Sequence, residues 1–424
     1  LIEPRALACG ATALFERVEG TKAASIGLWF PFGSRVEGPL VRGATHFIEH
    51  MLFKGTSSRG ARSIAQEIDR LGGYMNAFTE RECVCLFCTL PGESLGTAIE
   101  VLCDMAFRST FPEDEFEREK TVIVSEIMAS MDDPEDVSFD GYLESAWPGS
   151  ELSRKITGEA KEIAPLGRNA LLQYFERMFV PEAAIISIAG AFDPDETAAL
   201  LSKNLETARR GSKASGTIPF AGEAPVFSAG ASRKTARIQQ VHFYSGMPMD
   251  FSRTNAEYNA ISVFNCAFGE SMSSRLFQNI REKLGYCYSI YSFFSLASDA
   301  GLFTVCGSSS PESFADMTGA VGREIDSLSN GGLSDAEIDD SLSHLAGSSI
   351  LASEDMETRM KRLARQYLFN REVLSSDELI AALRATARED VREIAARVAL
   401  TKERRLYAYG ARFKDKAIKW KKTA

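Results

Sequence analysis

Histidine, tryptophan and long apolar runs are all scarce in this chain, and each scarcity excludes something. Only four of the 424 residues are histidine and three are tryptophan, so chemistry that needs imidazole has few places to sit. No window approaches the roughly 18 consecutive apolar residues of a spanning helix. That argues against a membrane span. The N-terminus lacks a charged segment leading into an apolar one, as a secretory signal requires; the chain begins at Leu1, which leaves a trimmed leader compatible with it. Positive charge is in deficit as well, with 58 acidic against 48 basic side chains and a formal net charge of −10. A protein that lives on phosphate contacts needs a basic face to displace counterions, so general nucleic-acid binding is excluded. A cationic or peptide substrate suits the balance. The eight cysteines, at positions 9, 83, 85, 88, 103, 266, 287 and 306, form no paired C-x-x-C framework, and reduced thiols in a reducing compartment are expected.

What is present is globular: 45% hydrophobic, 25% charged and 10% aromatic residues, in a length that asks for two domains or three. Residues 23–31 (AASIGLWFP), 83–90 (CVCLFCTL) and 184–191 (AIISIAGA) read as strands, being short apolar or alternating runs bounded by Gly, Pro or charge. Helical stretches are expected at Arg62 to Leu71, Ser94 to Arg108 and Pro112 to Met131, the last with Pro at its start and acidic residues in its first turn. From Thr207 to Thr235 periodicity is lost in a Gly-, Ser-, Ala- and Pro-rich stretch, the expected linker. Beyond it come a strand near Gln239 to Gly246, a helix from Asn255 to Phe268, strands near Cys287 to Phe294 and Gly301 to Gly307, and three helical stretches ending near Leu400. Similar element order on both sides of the linker suggests an internal duplication. The expectation is an α+β fold twice over, with domains at 1–206 and 236–424 joined by 207–235.

The most informative segment is His46-Phe47-Ile48-Glu49-His50, which holds half of the histidines. On a helix the first, fourth and fifth of these residues share a face, while Phe47, Ile48, Met51 and Leu52 cover the others. Two imidazoles one turn apart can bind one zinc ion, and the carboxylate between them is placed to take a proton from an attacking water. This is the H-x-x-E-H order of the inverted zincins; two core histidines with a glutamate partner are the bland alternative. A zinc hydrolase site wants three protein ligands and one open position. Glu119 and Glu126, two helical turns apart in FEREKTVIVSEIMASMDDPED, are candidates. A solvated helix face is the alternative for each, poorest for Glu126 among its apolar neighbours.

These residues carry a resemblance. GATHFIEHMLFKGT, LGGYMNAFTERE, EREKTVIVSEI and DDPED follow one another as in the pitrilysin-type zinc peptidases, in particular the branch containing mitochondrial processing peptidase and its bacterial relatives. FGESMSSRLFQNIREKLGYCYSIYS resembles that family's C-terminal domain. The resemblance implies two homologous domains, each a mostly antiparallel sheet covered by helices. It implies one zinc ion per chain on His46, His50 and Glu126, Glu49 as general base, and Glu119 as the carboxylate that orients a ligand imidazole. It also implies Asn76 and Ala77 on an edge strand that takes substrate as an added strand. Arg281 and Tyr288 would touch the substrate backbone, with the Tyr288 hydroxyl at the developing oxyanion; Tyr286 is the rival for that role.

The expected activity is therefore zinc-dependent endopeptidase action on short or unfolded polypeptides within an enclosed chamber. The alternatives are a specific presequence-processing peptidase and a catalytically silent scaffold subunit. The partner would be a second copy or a paralogous subunit, supplying the Arg/Tyr pair in trans. A bacterial cytoplasm is the expected location, with an organelle matrix or periplasm as alternatives for a chain that lost a leader. Cys83, Cys85 and Cys88 read as buried strand residues rather than ligands, since Cys88 faces opposite to the other two. His242 and His344 read as structural, and the basic tail at 412–422 as a solvated terminus.

Overall fold

Twelve strands, the central ones formed by the short apolar runs, make two six-stranded sheets among the described residues of the computed structural model, which are 1–208, 224–329, 331–414, 418 and 421–422. Residues 209–223 of the expected linker, and 415–417 and 419–420 of the basic tail, lie outside them. The first sheet contains β1 (Arg5–Ala6), β2 (Thr12–Arg17), β3 (Ala23–Phe30), β4 (Tyr74–Thr79), β5 (Val84–Pro91) and β6 (Ile185–Gly190), in the order β1-β2-β6-β3-β5-β4. The second contains β7 (Gly230–Thr235), β8 (Val241–Pro248), β9 (Cys287–Leu296), β10 (Gly301–Ser309), β11 (Arg405–Gly410) and β12 (Lys421–Lys422), in the order β12-β7-β11-β8-β10-β9.

The two sheets share one topology. In each, a late strand inserts between the first two long ones: β6 lies parallel to β2 and antiparallel to β3, and β11 lies parallel to β7 and antiparallel to β8. In each, an antiparallel hairpin extends the sheet, β4–β5 in the first and β9–β10 in the second. β4 and β9 are therefore the corresponding edge strands. This is the α+β architecture, present twice.

By contacts the chain divides into two units, and the division is not sequential. One unit comprises Leu1–Ala129, Lys155–Gly222 and Leu351–Glu378; the other comprises Ser130–Arg154, Glu223–Ile350 and Leu379–Ala424. The sheets follow the order expected from sequence, whereas two helical segments lie in the opposite unit. In the first unit, helix Met356–Asn370 buries Met360, Leu363 and Ala364 against Leu14, Trp29, Cys85 and Ile185. Full burial of a side chain such as Leu363 contributes about 1.5–3 kcal/mol. The buried Glu16 carboxylate of β2 anchors the same helix by accepting from Arg359 at 3.1 Å and Arg362 at 2.7 Å. The other face of this sheet packs Ile26, Leu28 and Cys88 against Phe47, Ile99 and Leu102. Cys85 and Cys88 thus lie in separate cores, as buried strand residues.

The second unit repeats the arrangement with helix Pro134–Ala146, whose Tyr142 and Leu143 pack on Tyr244, Leu302, Cys306 and Tyr407. In both units a side chain of the exchanged helix lies directly over a glycine of a central strand. A Cβ on Gly27 would overlap the Met360 sulfur, and one on Gly246 would overlap the Tyr142 hydroxyl. After β10 the described residues hold five helices, Phe314–Ser327, Asp335–Ala352, Met356–Asn370, Ser376–Arg384 and Arg388–Leu400, where three were expected. The extra breaks have local causes: the Asp355 carboxylate caps a new start by accepting from Glu357 and Thr358 N–H, and Arg371 ends that helix at φ 64°. No helix among the described residues is long and apolar enough to cross a membrane.

Candidate metal centre

Helix Ala44–Leu52 carries the two histidines, and its start is held from outside the helix. Gly43 takes φ 77°, and no side chain of the first turn caps it. The buried Glu37 carboxylate does so instead, with one oxygen accepting from Gly43 N–H at 2.6 Å and the other from Thr45 N–H at 2.7 Å. A negative charge at this end also complements the helix dipole. Ala44, Phe47, Ile48, Met51 and Leu52 are buried. Phe47 stacks on Phe116 of helix Glu113–Asp132 with ring centroids 4.9 Å apart and planes 5° from parallel. That stack sets the spacing of the two helices. Phe116, Glu119, Ile123 and Ile127 form the buried stripe of the second helix, while Glu126 sits beside it with its side chain 47% exposed.

At this crossing three ligand atoms converge. The Glu126 carboxylate lies 3.7 Å from His46 Nε2 through one oxygen and 3.5 Å from His50 Nε2 through the other. All three groups offer atoms within 4.8 Å of one another. Bonds of about 2.0–2.2 Å to a tetrahedral zinc ion put ligand atoms about 3.3–3.6 Å apart. The two Glu126 spacings lie close to coordination edges, and two imidazoles with one carboxylate suit zinc chemically. Among the described residues this is the one such group of three. His242 lies within β8 and His344 is exposed on helix Asp335–Ala352, both outside it.

The surroundings prepare each side chain. Burial, reinforced by the neighbouring His50, pushes His46 down to about 4. The ring is thus neutral near pH 7, the state a metal requires. Its Nδ1 is buried with no hydrogen-bond partner, which leaves Nε2 facing Glu126. His50 Nδ1 lies 3.1 Å from Glu119, whose other oxygen accepts from Lys54 Nζ at 2.6 Å. This fixes the His50 ring so that Nε2 faces the cluster. Glu49 accepts from the Thr79 hydroxyl at 2.6 Å. Burial raises its carboxyl above the ordinary value, with Thr79 and His50 opposing and Glu126 adding to the rise.

β4 runs beside this cluster as the sheet's edge, paired to β5 on one side. Asn76 is exposed on it, and its side-chain oxygen accepts from Ala77 N–H at 2.8 Å. In the second unit, Arg281 and Tyr288 are brought together: the guanidinium lies 5.0 Å from the Tyr288 ring centre and 4.4 Å from that of Phe277. Tyr288 is 79% exposed, whereas Tyr286 packs on the core. Glu37, Lys54 and Thr79 are the contributors that sequence reasoning missed. Lys54 and Thr79 meet their partners through tertiary packing, and Glu37 reaches the helix start across six to eight residues of loop with no helical periodicity to mark it.

Comparison with known proteins adds the family. Residues 12–160 match the model for insulinase, peptidase family M16, and residues 165–345 match the model described as the peptidase M16 inactive domain. An uncharacterized zinc protease of Streptomyces coelicolor is 33% identical over 91% of this chain and 84% of its own length. The chain belongs to peptidase family M16. The uncharacterized zinc protease YmxG of Bacillus subtilis, 32% identical over 91% of this M16 chain and 93% of its own length, is another relative. A peptidase M16 inactive domain from Pseudomonas fluorescens shares the fold with a TM-score of 0.87 at 19% identity, covering 98% of this chain and 99% of that one. A protease from Helicobacter pylori does so with a TM-score of 0.87 at 17% identity, covering 97% and 99%. The three converging side chains all fall within the stretch that matches the insulinase model.

Proposed function

We propose that this M16 chain is a zinc metalloendopeptidase in which His46, His50 and Glu126 hold one ion and Glu49 is the proton acceptor. The observation that carries the reading is the convergence of one ligand atom each from His46, His50 and Glu126 within 4.8 Å of one another. When bound, zinc supplies a Lewis acid that polarises the scissile carbonyl and acidifies a water. Glu49, held by Thr79, takes the water's proton and returns it to the leaving amine. Glu119 keeps the His50 ring in place. The peptide lies on β4 as an added strand at Asn76 and Ala77, bound through its main chain with little regard to sequence. Arg281 braces Tyr288, whose exposed hydroxyl donates to the developing oxyanion. A second copy or a paralogous subunit completes a chamber that admits short or unfolded peptides, and the expected location is a bacterial cytoplasm.

One observation favours a second reading, a silent scaffold: the model matched by residues 165–345 is described as inactive. Zinc analysis combined with cleavage of a quenched peptide library separates the two. Glu49→Gln should retain about one zinc per chain and lose activity by a factor on the order of 10² to 10⁴, while His50→Ala should lose the metal. A wild-type chain that holds zinc and cleaves nothing would establish the scaffold. The breadth of the cleaved set distinguishes a degrader from a presequence processor.

A further inference from the structure

Thr79 stands where two parts of the site meet. It closes β4 opposite Val84, three residues beyond Asn76 and two beyond Ala77, and its hydroxyl donates to Glu49 at 2.6 Å. An ionised carboxylate only accepts hydrogen bonds, so this contact fixes one Glu49 oxygen and leaves the other for a second donor. The backbone behind Thr79 is held from several directions. Glu80 N–H donates to Cys83 O at 2.8 Å, closing the hairpin turn. Ser34 N–H donates to Glu80 O at 3.1 Å, and Arg35 N–H donates to Arg81 O at 2.9 Å. Arg35 pairs with Glu82, and the Glu80 carboxylate accepts from Arg365 at 2.6 Å. Two segments distant in sequence, the loop at 34–36 and helix Met356–Asn370, therefore clamp the residues that follow Thr79. The hydroxyl is a fixed point rather than a surface rotor.

We infer that Thr79 is a positioning residue for Glu49, and that it makes the edge strand which receives the peptide also the strut that aims the proton acceptor. This deepens the reading given above and rests on it. A peptide docking on β4 would bind the strand whose last residue holds Glu49, so binding and proton transfer share one rigid element. The hydrogen bond of the Thr79 side chain goes to Glu49 rather than to a metal ligand. Its influence falls on the chemical step, because displacing a catalytic group by about 1 Å is enough to lose on the order of 100-fold in rate.

The test compares Thr79→Val, which keeps the branched shape and removes the hydroxyl, with Thr79→Ser, which keeps the hydroxyl. Both are assayed on the zinc-loaded full chain with a quenched peptide. Thr79→Val should lower kcat by about 10- to 100-fold, with KM within about twofold and zinc content unchanged. Thr79→Ser should stay within about threefold of wild type in kcat. In a Glu49→Gln background Thr79→Val should bring no further fall, since its effect passes through Glu49. Three results overturn the inference: wild-type kcat in Thr79→Val, a raised KM or lost zinc with kcat preserved, or equal impairment in Thr79→Ser. Should Thr79→Val fail to fold, Thr79→Ser and Thr79→Ala decide by the same split between kcat and KM. A wild-type chain without peptidase activity, or a fully active Glu49→Gln, brings down the proposed function and this inference together. A normal Thr79→Val beside an inactive Glu49→Gln removes only the inference.

Discussion

Replacing Glu119 by glutamine should weaken zinc binding, and the cause can be read from its two partners. The residue is 6% exposed, and its carboxylate gives one oxygen to His50 Nδ1 at 3.1 Å and the other to Lys54 Nζ at 2.6 Å. A His50 ring that uses Nε2 as a ligand carries its proton on Nδ1, and an ammonium only donates. Both neighbours of Glu119 are therefore donors. Glutamine keeps the shape but offers a single acceptor oxygen and an amide NH₂. The charged Lys54 should claim the oxygen, because hydrogen bonds to ionised groups are the stronger. The NH₂ then faces His50 Nδ1 and favours the tautomer that is protonated on Nε2, the one that cannot bind metal.

Loss of such an orienting group typically weakens a metal by about 10- to 100-fold, or about 1.4–2.7 kcal/mol. Competition with a chelator of known affinity measures it directly, with no reliance on activity. Adding Lys54→Met frees the amide oxygen for His50, so the double variant should bind zinc more tightly than Glu119→Gln alone. Wild-type affinity in Glu119→Gln, or a double variant weaker than the single one, would refute the reasoning.

Other outcomes follow from the same geometry. Glu37→Gln removes one of two charge-assisted contacts at the start of helix Ala44–Leu52. It should cost about 1.5–3 kcal/mol, read as a lowered urea midpoint together with weaker zinc. In the apoprotein His46 sits at about 4, below the roughly 6.5 of an unfolded chain. Between those values the unfolded state binds a proton that the folded state does not, so stability should be complete above about pH 6.5 and fall as pH drops towards 4, by about 3 kcal/mol at most. Urea titrations in chelator should show this slope in wild type and less of it in His46→Gln. Completion of the site in trans predicts that inactive Glu49→Gln and Tyr288→Phe chains regain activity on mixing. With about half of the dimers mixed, roughly a quarter of all sites would be intact; exchange of subunits without recovery would count against it.

Legibility of the sequence tracked the range of the interaction. His46, Glu49 and His50 are legible because a helix turn alone brings them to one face. Glu119 and Glu126 were legible as a pair two turns apart, but their different depths, one buried and one half-exposed, depend on the Phe47–Phe116 stack. The exchange of helices was not read from the sequence, yet it left a trace. A sheet with one solvated face alternates apolar and polar residues, whereas β3 and β6 are apolar almost throughout and buried on both faces. Such strands demand a second covering layer, and helix Met356–Asn370, far downstream of both, supplies it. Met360, Leu363 and Ala364 make one buried stripe on this helix, whose spacing alone does not name the sheet it covers. Glu16 settles the partner: a carboxylate in an otherwise half-buried strand makes sense only once Arg359 and Arg362 arrive to neutralise it. The same long-range clamp reaches Glu80 through Arg365. The helix that completes the first unit thus also steadies the turn behind Thr79, which ties the exchange to the aim of Glu49.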